Sequence, residues 1–366
     1  MNSLKISSVH CAESYRLGVK QMSDLTIPDD LALTDNDMRM LCKLGGFIPE
    51  KVFDIHAHLF NIEYLPNIGV PGSIFAGCGP VADKERYEEL QKPLYHGVKQ
   101  LRLNLVSTPD KSMSDLTNGY RSRCNEFLIE YLKHNPMDVG EAFVLPGDTD
   151  PDIEKLLGHP NIRGLKCYHL TAGKESTWQA EIDDYLPESA WRVANERGLC
   201  ITLHMVKDAA LADSGNLEII RRKAKQYPHA KLILAHAARG FAPWTTLEGL
   251  KQLDNFSNIY FDVSAVCEPT AIFAVLKAAG AARVLWGSDF PVSMMRGKCI
   301  SIAGTFLWLN QTELAKLGDA AAAEACLVGI ENLNALAQAC DMLDLNRGEV
   351  EDIFYNNAMK VFDLSD

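Results

Sequence analysis

Short aliphatic and β-branched runs recur along the chain, each followed by a stretch with a helical rhythm. The runs are Val52 to His56, Gln100 to Val106, Val139 to Leu145, Arg163 to Tyr168, Leu199 to His204, Lys231 to His236, Asn258 to Ser264 and Arg283 to Asp289. They predict eight strands. Their mean spacing of about 33 residues suits parallel strand–helix–strand crossovers. Between them, residues 83–97, 118–136, 148–160, 181–198, 215–228, 245–256 and 268–280 place apolar side chains at i, i+3, i+4 and stop at Gly, Pro or a polar turn. Asp150 (followed by Pro151), Asp213 or Ser214, and Thr245 are the expected N-caps.

Eight alternating units predict an α/β fold, a (β/α)₈ TIM barrel first and an open doubly wound sheet second. No G-x-G-x-x-G follows the first strand, so dinucleotide binding has no support. Residues 1–50 stand outside the alternation and contain LTDNDMRMLCKLGG, a capped helix ending at Gly45. They are expected to be an N-terminal helical extension, with the barrel and its C-terminal helices over 51–366. Residues 300–366 read as largely helical, beginning with an Ala-rich stretch. The segment Leu59 to Val81 contains NIGVPGSIFAGCGP, whose Gly, Pro and aromatic content suits a lid over the barrel mouth or a loop without a role.

The chain has 366 residues and a formal net charge of −12, which argues against a nucleic-acid partner because phosphate binding wants a basic face. No run approaches the roughly 18 apolar residues of a membrane span. The N-terminus lacks the apolar core of about 7–15 residues that a secretory signal needs. The ten cysteines include no C-x-x-C pair, so reduced thiols and a cytoplasmic location are expected. The partner expected is a small-molecule substrate, with room for a homo-oligomer.

Residues with catalytic chemistry collect at the predicted strand ends. His56 and His58 close the first strand, Lys166 lies in the fourth, His204 closes the fifth, His236 the sixth and Asp289 the eighth. A barrel builds its active site at that end. Residues i and i+2 of a strand face one side, so His56 and His58 can hold one cation. His204 could add a nitrogen and Asp289 a carboxylate oxygen, a set that suits zinc and also manganese or iron. A metal ion there would acidify a bound water towards a pKa of about 7 and polarise a carbonyl. Asp289 would move the proton, and His236 would serve an oxyanion or the metal. Taken singly, each feature has a plainer explanation: H-x-H pairs often mean nothing, and Asp289 could be a helix cap. The joint placement at successive strand ends is what favours a metal site.

These residues make the sequence resemble the amidohydrolase superfamily, and within it the amidohydrolase-related (amidohydrolase 2) group. The resemblance rests on DIHAH (Asp54 to His58), RGLKCY (Arg163 to Tyr168), ITLHM (Ile201 to Met205), LILAHA (Leu232 to Ala237), WGSDFP (Trp286 to Pro291) and the tail FYNNAMKVFDL (Phe354 to Leu364). It implies a barrel with His56, His58, His204 and Asp289 around one divalent ion, zinc first and manganese second. His236 would be catalytic or bind a second metal, and Lys166 would bridge two metals in the less favoured dinuclear case. It also implies a metal-dependent hydrolase of amides or lactones, or alternatively a non-oxidative decarboxylase or hydratase of carboxylated ring compounds. Among the cations near the strand ends, Arg102, Lys166, His169, Lys174, Lys207, Arg239 and Arg296, Arg239 follows His236 by three residues. Arginine recognises carboxylates, so Arg239, with His169 and Tyr168, is expected to bind a carboxylated substrate. Trp286 and Tyr168 could wall a ring, although a Trp within a strand is more often core.

Overall fold

In the computed structural model, which describes residues 31–65, 68, 76–253, 256–316 and 324–365, all eight predicted strands form. They are β1 Lys51–Ala57, β2 Gln100–Leu105, β3 Val139–Phe143, β4 Ile162–Cys167, β5 Cys200–Leu203, β6 Lys231–Leu234, β7 Ile259–Asp262 and β8 Val284–Leu285. Neighbours in sequence are neighbours in one sheet of eight strands, and every pairing is parallel. The seam between first and last strands is made by Ile55 N–H donating to Trp286 O (3.1 Å) and His58 N–H to Phe290 O (2.8 Å). A parallel bridge joins Ala57 to Phe290. The result is a (β/α)₈ barrel, as the alternation predicts.

The helices around it are α1 Asp35–Lys43, α2 Lys84–Gln91, α3 Tyr120–His134, α4 Asp150–Leu156, α5 Glu188–Arg197, α6 Ser214–Gln226, α7 Pro243–Leu250 and α8 Pro269–Ala279, followed by α9 Val328–Met342. Asp213 caps α6, as expected. At α4 the cap is Thr149 rather than Asp150, because Thr149 and Asp152 satisfy each other's backbone N–H in a capping box. Asp150 instead holds Arg192 through two hydrogen bonds of 3.0 and 2.6 Å. Thr245 is not a cap either, since α7 begins two residues earlier at Pro243. The helix expected over 181–198 is interrupted at Pro187 into a short turn, Ile182–Tyr185, and α5.

The expectation of helix from residue 300 onward is corrected. Gly297–Ile302 (β9) and Thr305–Asn310 (β10) form an antiparallel hairpin turning at Gly304, whose φ is 77°. Alternation of half-buried Phe306 and Trp308 with exposed Thr305 and Leu307, opposite the β-branched Ile300 and Ile302, is the local cause. The Ala-rich stretch lies mostly outside the described residues, as do residues 1–30 and, within the expected lid, residues 66, 67 and 69–75. The described flanks of that segment pair as Phe60–Asn61 against Val81–Ala82. Helix α1 carries the Thr34–Asp37 capping box, and buried Asp37 fastens it to Arg296 (2.7 Å) and Leu327 N–H (3.0 Å).

The chain's end plugs the barrel. Helical turns Arg347–Glu351, Asp352–Asn356 (a π turn) and Asn357–Val361 run on from one another. Tyr355, Ala358, Met359, Val361 and Phe362 pack with Phe53, Ile55, Val139, Cys200, Ile233 and Leu285 from the strands. Gln100, Cys200 and Lys231, each the first residue of its strand, bond to Tyr355 OH or Val361 O, so the plug sits at the strands' N-terminal ends. The other end is left for chemistry. Phe362→Ala, which removes a buried ring stacked 5.5 Å from Phe53, should cost about 3–5 kcal/mol in urea unfolding with an unchanged m-value.

Candidate metal centre

The end of β1 sets the site. Phe53 and Ile55 point into the barrel towards the plug, whereas Asp54 points the other way, accepting from Tyr87 OH and Tyr95 OH (3.1 Å). The pairing register with β2 shifts between Asp54 and Ala57. Such an irregularity re-aims side chains, and His56 and His58 both reach the cavity at the C-terminal mouth. Gly287 across the seam must lack a side chain, because a Cβ there would lie 2.8 Å from His56 Cβ.

Each imidazole is oriented through its Nδ1. His56 Nδ1–H donates to Asp262 Oδ2 (2.5 Å), and His58 Nδ1–H donates to Ser107 O (2.9 Å). An acceptor on Nδ1 leaves the Nε2 lone pair free to bind a cation. Both Nε2 atoms face Asp289 Oδ1, at 3.7 and 3.2 Å. Within this group, and within a second one of His56, His236 and Asp262, candidate ligand atoms lie within 4.8 Å of one another. The donor set, two imidazole nitrogens and a carboxylate oxygen, fits a divalent metal of the zinc or manganese kind. Burial raises the Asp262 carboxyl. Burial also lowers His56 well below the usual histidine range, with Lys166 adding to it. At Asp289 burial pushes upward, but His236, His58 and His56 outweigh it and hold the carboxyl below its ordinary value.

His236 follows β6 on an unusual backbone. His236, Ala237, Ala238 and Arg239 have φ of 57, 50, 59 and 59°, four successive non-glycine residues in the left-handed region. Each costs roughly 1–2 kcal/mol. Thr246 Oγ1 donates to Ala237 O (2.8 Å) and Gly240 N–H to His236 O (2.7 Å), which hold the turn. His236 Nδ1–H donates to Ser264 O (3.0 Å), and its Nε2 lies 3.2 Å from His204 Nδ1. His204 therefore joins the cluster through His236 and stands outside both groups above. Burial lowers His204 well below its usual value, with His236 and Lys166 adding to it.

The cavity over these groups holds about 260 Å³ and is lined by His56, His58, His204, His236 and Asp289 together with Tyr168, His169, Trp178 and the apolar Pro109, Leu170 and Val292. Tyr168 and His169, expected to bind substrate, both line this cavity. Arg239 is not part of this lining; its guanidinium lies 5.2 Å over the Trp178 ring and 5.4 Å over Phe306. Lys166 is fully buried, 5.1 Å over the Tyr168 ring, and its Nζ has no hydrogen-bond partner. Burial lowers its pKa, with Glu141 opposing. The remaining cations serve elsewhere: Arg102 touches Met359 in the plug (3.5 Å), Lys174 pairs with Asp184, Lys207 with Glu181 and Asp213, and Arg296 with Asp37. Trp286 is core, donating to Tyr95 OH (2.9 Å) and leaning on Phe354. Sequence reasoning missed Asp262, Ser264 and Trp178; Asp262 at the end of β7 was open to the same strand-end logic that found Asp289.

Inside the barrel, Glu141 Oε1 accepts from Asn104 (2.8 Å) and Thr202 (2.7 Å), while its Oε2 has no partner. Burial raises this carboxyl from 4.5 to about 7. The folded state therefore binds a proton more tightly than the unfolded chain. The resulting stability is complete below the unfolded value and is lost as pH rises through 7, by about 3 kcal/mol. Glu141→Gln keeps the two accepted bonds and removes the titration. Urea unfolding at pH 5 and pH 8 should show a smaller loss of stability in the variant than in the parent (~3 kcal/mol less at most).

No curated protein matches the chain in sequence. Among solved structures, an amidohydrolase from Burkholderia multivorans with bound zinc superposes with a TM-score of 0.56 at 12% identity, covering 86% of this chain and 100% of that one. The 5-carboxyvanillate decarboxylase of Sphingomonas paucimobilis gives 0.52 at 14% identity, covering 87% and 100%. A dihydroxybenzoic acid decarboxylase from a Polaromonas species, with bound manganese and 2-nitroresorcinol as inhibitor, gives 0.51 at 14% identity, covering 86% and 97%. At such identities the likeness speaks for the fold. The amidohydrolase (amidohydrolase 2) family profile, however, matches residues 53–364, from the strand that carries His56 to the plug, and the chain belongs to that family.

Proposed function

We propose that the protein is a metal-dependent hydrolase of a small carboxylated molecule, acting on an amide or lactone bond. The observation that carries this is the convergence of His56 Nε2 and His58 Nε2 on Asp289 Oδ1, with both Nδ1 atoms engaged by acceptors. His56, His58 and Asp289 would hold one divalent ion, zinc before manganese, with His204 completing the set. Lys166 would take part only if a second ion were present. When bound, the ion supplies Lewis acidity to a carbonyl and to water. Asp289 accepts the proton released by the attacking water and passes it to the leaving atom. His236, whose Nε2 lies 3.2 Å from His204 Nδ1, would serve a developing oxyanion. Tyr168 and His169 face the substrate from the wall. Arg239 acts through its field, since it contributes to lowering both His169 and His204 after burial. An anion in the cavity would be favoured by that charge. A cytoplasmic location belongs to the same proposal; the nine cysteines among the described residues are all buried, with no disulfide between them.

A second reading, decarboxylation, is favoured by the apolar part of the wall. Pro109, Leu170, Trp178 and Val292 would strip water from a substrate carboxylate. Asp289 would then return a proton to carbon. Two of the similar structures are decarboxylases. The products separate the two: hydrolysis incorporates oxygen from labelled water, and decarboxylation releases CO₂ without doing so.

Metal analysis of the purified protein should find about one equivalent of zinc or manganese, lost in His56→Ala and Asp289→Ala. About two equivalents would bring Lys166 into the site; no uptake from either ion would overturn the proposal. Asp262→Asn, which leaves the ligands in place but weakens the tie on His56 Nδ1, should lower metal affinity about 10–100-fold.

A further inference from the structure

The hairpin of β9 and β10 leaves one of its two edges open. Its register sets Gly297 opposite Asn310, Cys299 opposite Trp308 and Ser301 opposite Phe306, and it turns through Ala303 and Gly304, both at positive φ. On the β9 side the outward N–H groups are taken: Gly297 donates to Cys326 O (2.9 Å) and Ser301 to Glu268 Oε1 (3.1 Å). Antiparallel strands alternate inward and outward backbone groups, so Phe306 and Trp308 turn their N–H and C=O away from β9. Neither has a backbone partner on that side among the described residues. Such an edge is normally guarded by charge, proline or a bulge. Here the six pairs run without a shift, and no charged residue or proline occurs from Cys299 to Thr312.

Exposed apolar surface gathers at the same place. Of the nine large hydrophobic side chains exposed among the described residues, Trp244, Leu247, Ile302 and Leu307 stand on α7 and the hairpin. Trp244 Nε1–H donates to Gly304 O (2.6 Å), which fastens the hairpin tip to α7, and Leu247 lies three residues on along the same helix face. The hairpin's other face holds it down, with Phe306 and Trp308 lying 5.2 and 5.7 Å from Phe241. The edge is therefore ordered before anything docks on it, which lowers the entropic cost of a contact.

A clustered apolar surface of this kind marks an interaction site, and the occupant that the observations favour is a second copy of the chain. With a net charge of −12, two copies repel, and an uncharged strip is where they approach at least cost. An open antiparallel edge is also its own complement, as a two-fold contact requires. We propose that β10 joins two copies by pairing antiparallel with its counterpart about a two-fold axis at Leu307, merging the two hairpins into one four-stranded sheet. Phe306 of each copy then exchanges backbone hydrogen bonds with Trp308 of the other, and Leu307 meets Leu307.

Sedimentation velocity of the full chain at low and high micromolar concentration tests the contact, and cysteine substitution tests the register. The parent should be a dimer at the higher concentration. Leu307→Lys, which sets like charges opposite each other on an exposed position, should raise the dissociation constant by roughly tenfold or more, while Leu307→Val keeps the dimer. Circular dichroism should show both variants folded. Under mild oxidation Leu307→Cys should give a disulfide-linked dimer, because facing residues of a non-hydrogen-bonded pair lie within bridging distance. Thr305→Cys should not, because its two copies would stand ~13 Å apart along the paired strands. A parent that is monomeric at every concentration would overturn the proposal, as would a dimer that Leu307→Lys leaves intact. Equal cross-linking through Thr305→Cys and Leu307→Cys would overturn the two-fold register.

Discussion

A buried carboxylate, Asp54, joins the first strand of the barrel to the last. Its Oδ1 accepts the N–H of His56 (3.1 Å) and of Ser288 (2.9 Å), and its Oδ2 accepts two tyrosine hydroxyls from the helical layer outside. Burial raises its pKa, and the hydrogen bonds oppose that rise. The seam has few strand pairs of its own, because β8 is only two residues long. Residues separated by more than two hundred positions meet there: Asp54 holds Ser288 N–H, and the next residue, Asp289, comes within 3.2 Å of His58. The other histidines build on that seam, through Asp262 to His56 and through His236 to His204.

Gathering these groups is costly, and the fold concentrates the cost at one end. Four left-handed residues after β6, and Lys166 Nζ and Glu141 Oε2 without partners, are all unfavourable features near the strand ends or in the barrel interior beneath them. The offsetting apolar packing lies at the opposite end, where Phe53, Ile55 and Leu285 meet Phe362 and Met359. The same strands therefore carry apolar side chains low and ionisable ones high. This division explains why the chain's last residues, far from any chemistry in sequence, matter to the site: they seal the end that must be dry so that the other can be polar.

Much of this was legible in the sequence, for definite reasons. Strand positions were readable because each barrel strand is buried on both faces and appears as an apolar run. The site candidates were readable because a parallel barrel brings all C-terminal strand ends together, so His56, His58, His204, His236 and Asp289 needed only to be placed at strand ends. What escaped depends on side-chain direction or on local turn chemistry. Arg239 is three residues past His236, but the left-handed turn aims it at Trp178 and Phe306. The hairpin at Gly297–Asn310 hid in a region whose composition looked helical. Thr149 rather than Asp150 capped α4 because the reciprocal bond with Asp152 decides between adjacent capping residues.

The hydrogen-bond partners on Nδ1 constrain the chemistry more than the histidines' identities do. A histidine whose Nδ1–H is given to a carboxylate or carbonyl offers its Nε2 lone pair, and three of the clustered rings are set in this way, by Asp262, Ser107 O and Ser264 O. Two of those lone pairs face Asp289, whereas the third, on His236, faces His204. The rings of His56 and His58 are thus turned as a cation between them and Asp289 would require, while His204 and His236 face each other through a ring hydrogen bond that leaves His204 Nε2 free to turn to the same ion. Both metal-assisted hydrolysis and decarboxylation need a fixed positive centre beside a movable proton. What would distinguish them lies in the wall rather than in the cluster: how much water Pro109, Leu170, Trp178 and Val292 admit beside Asp289.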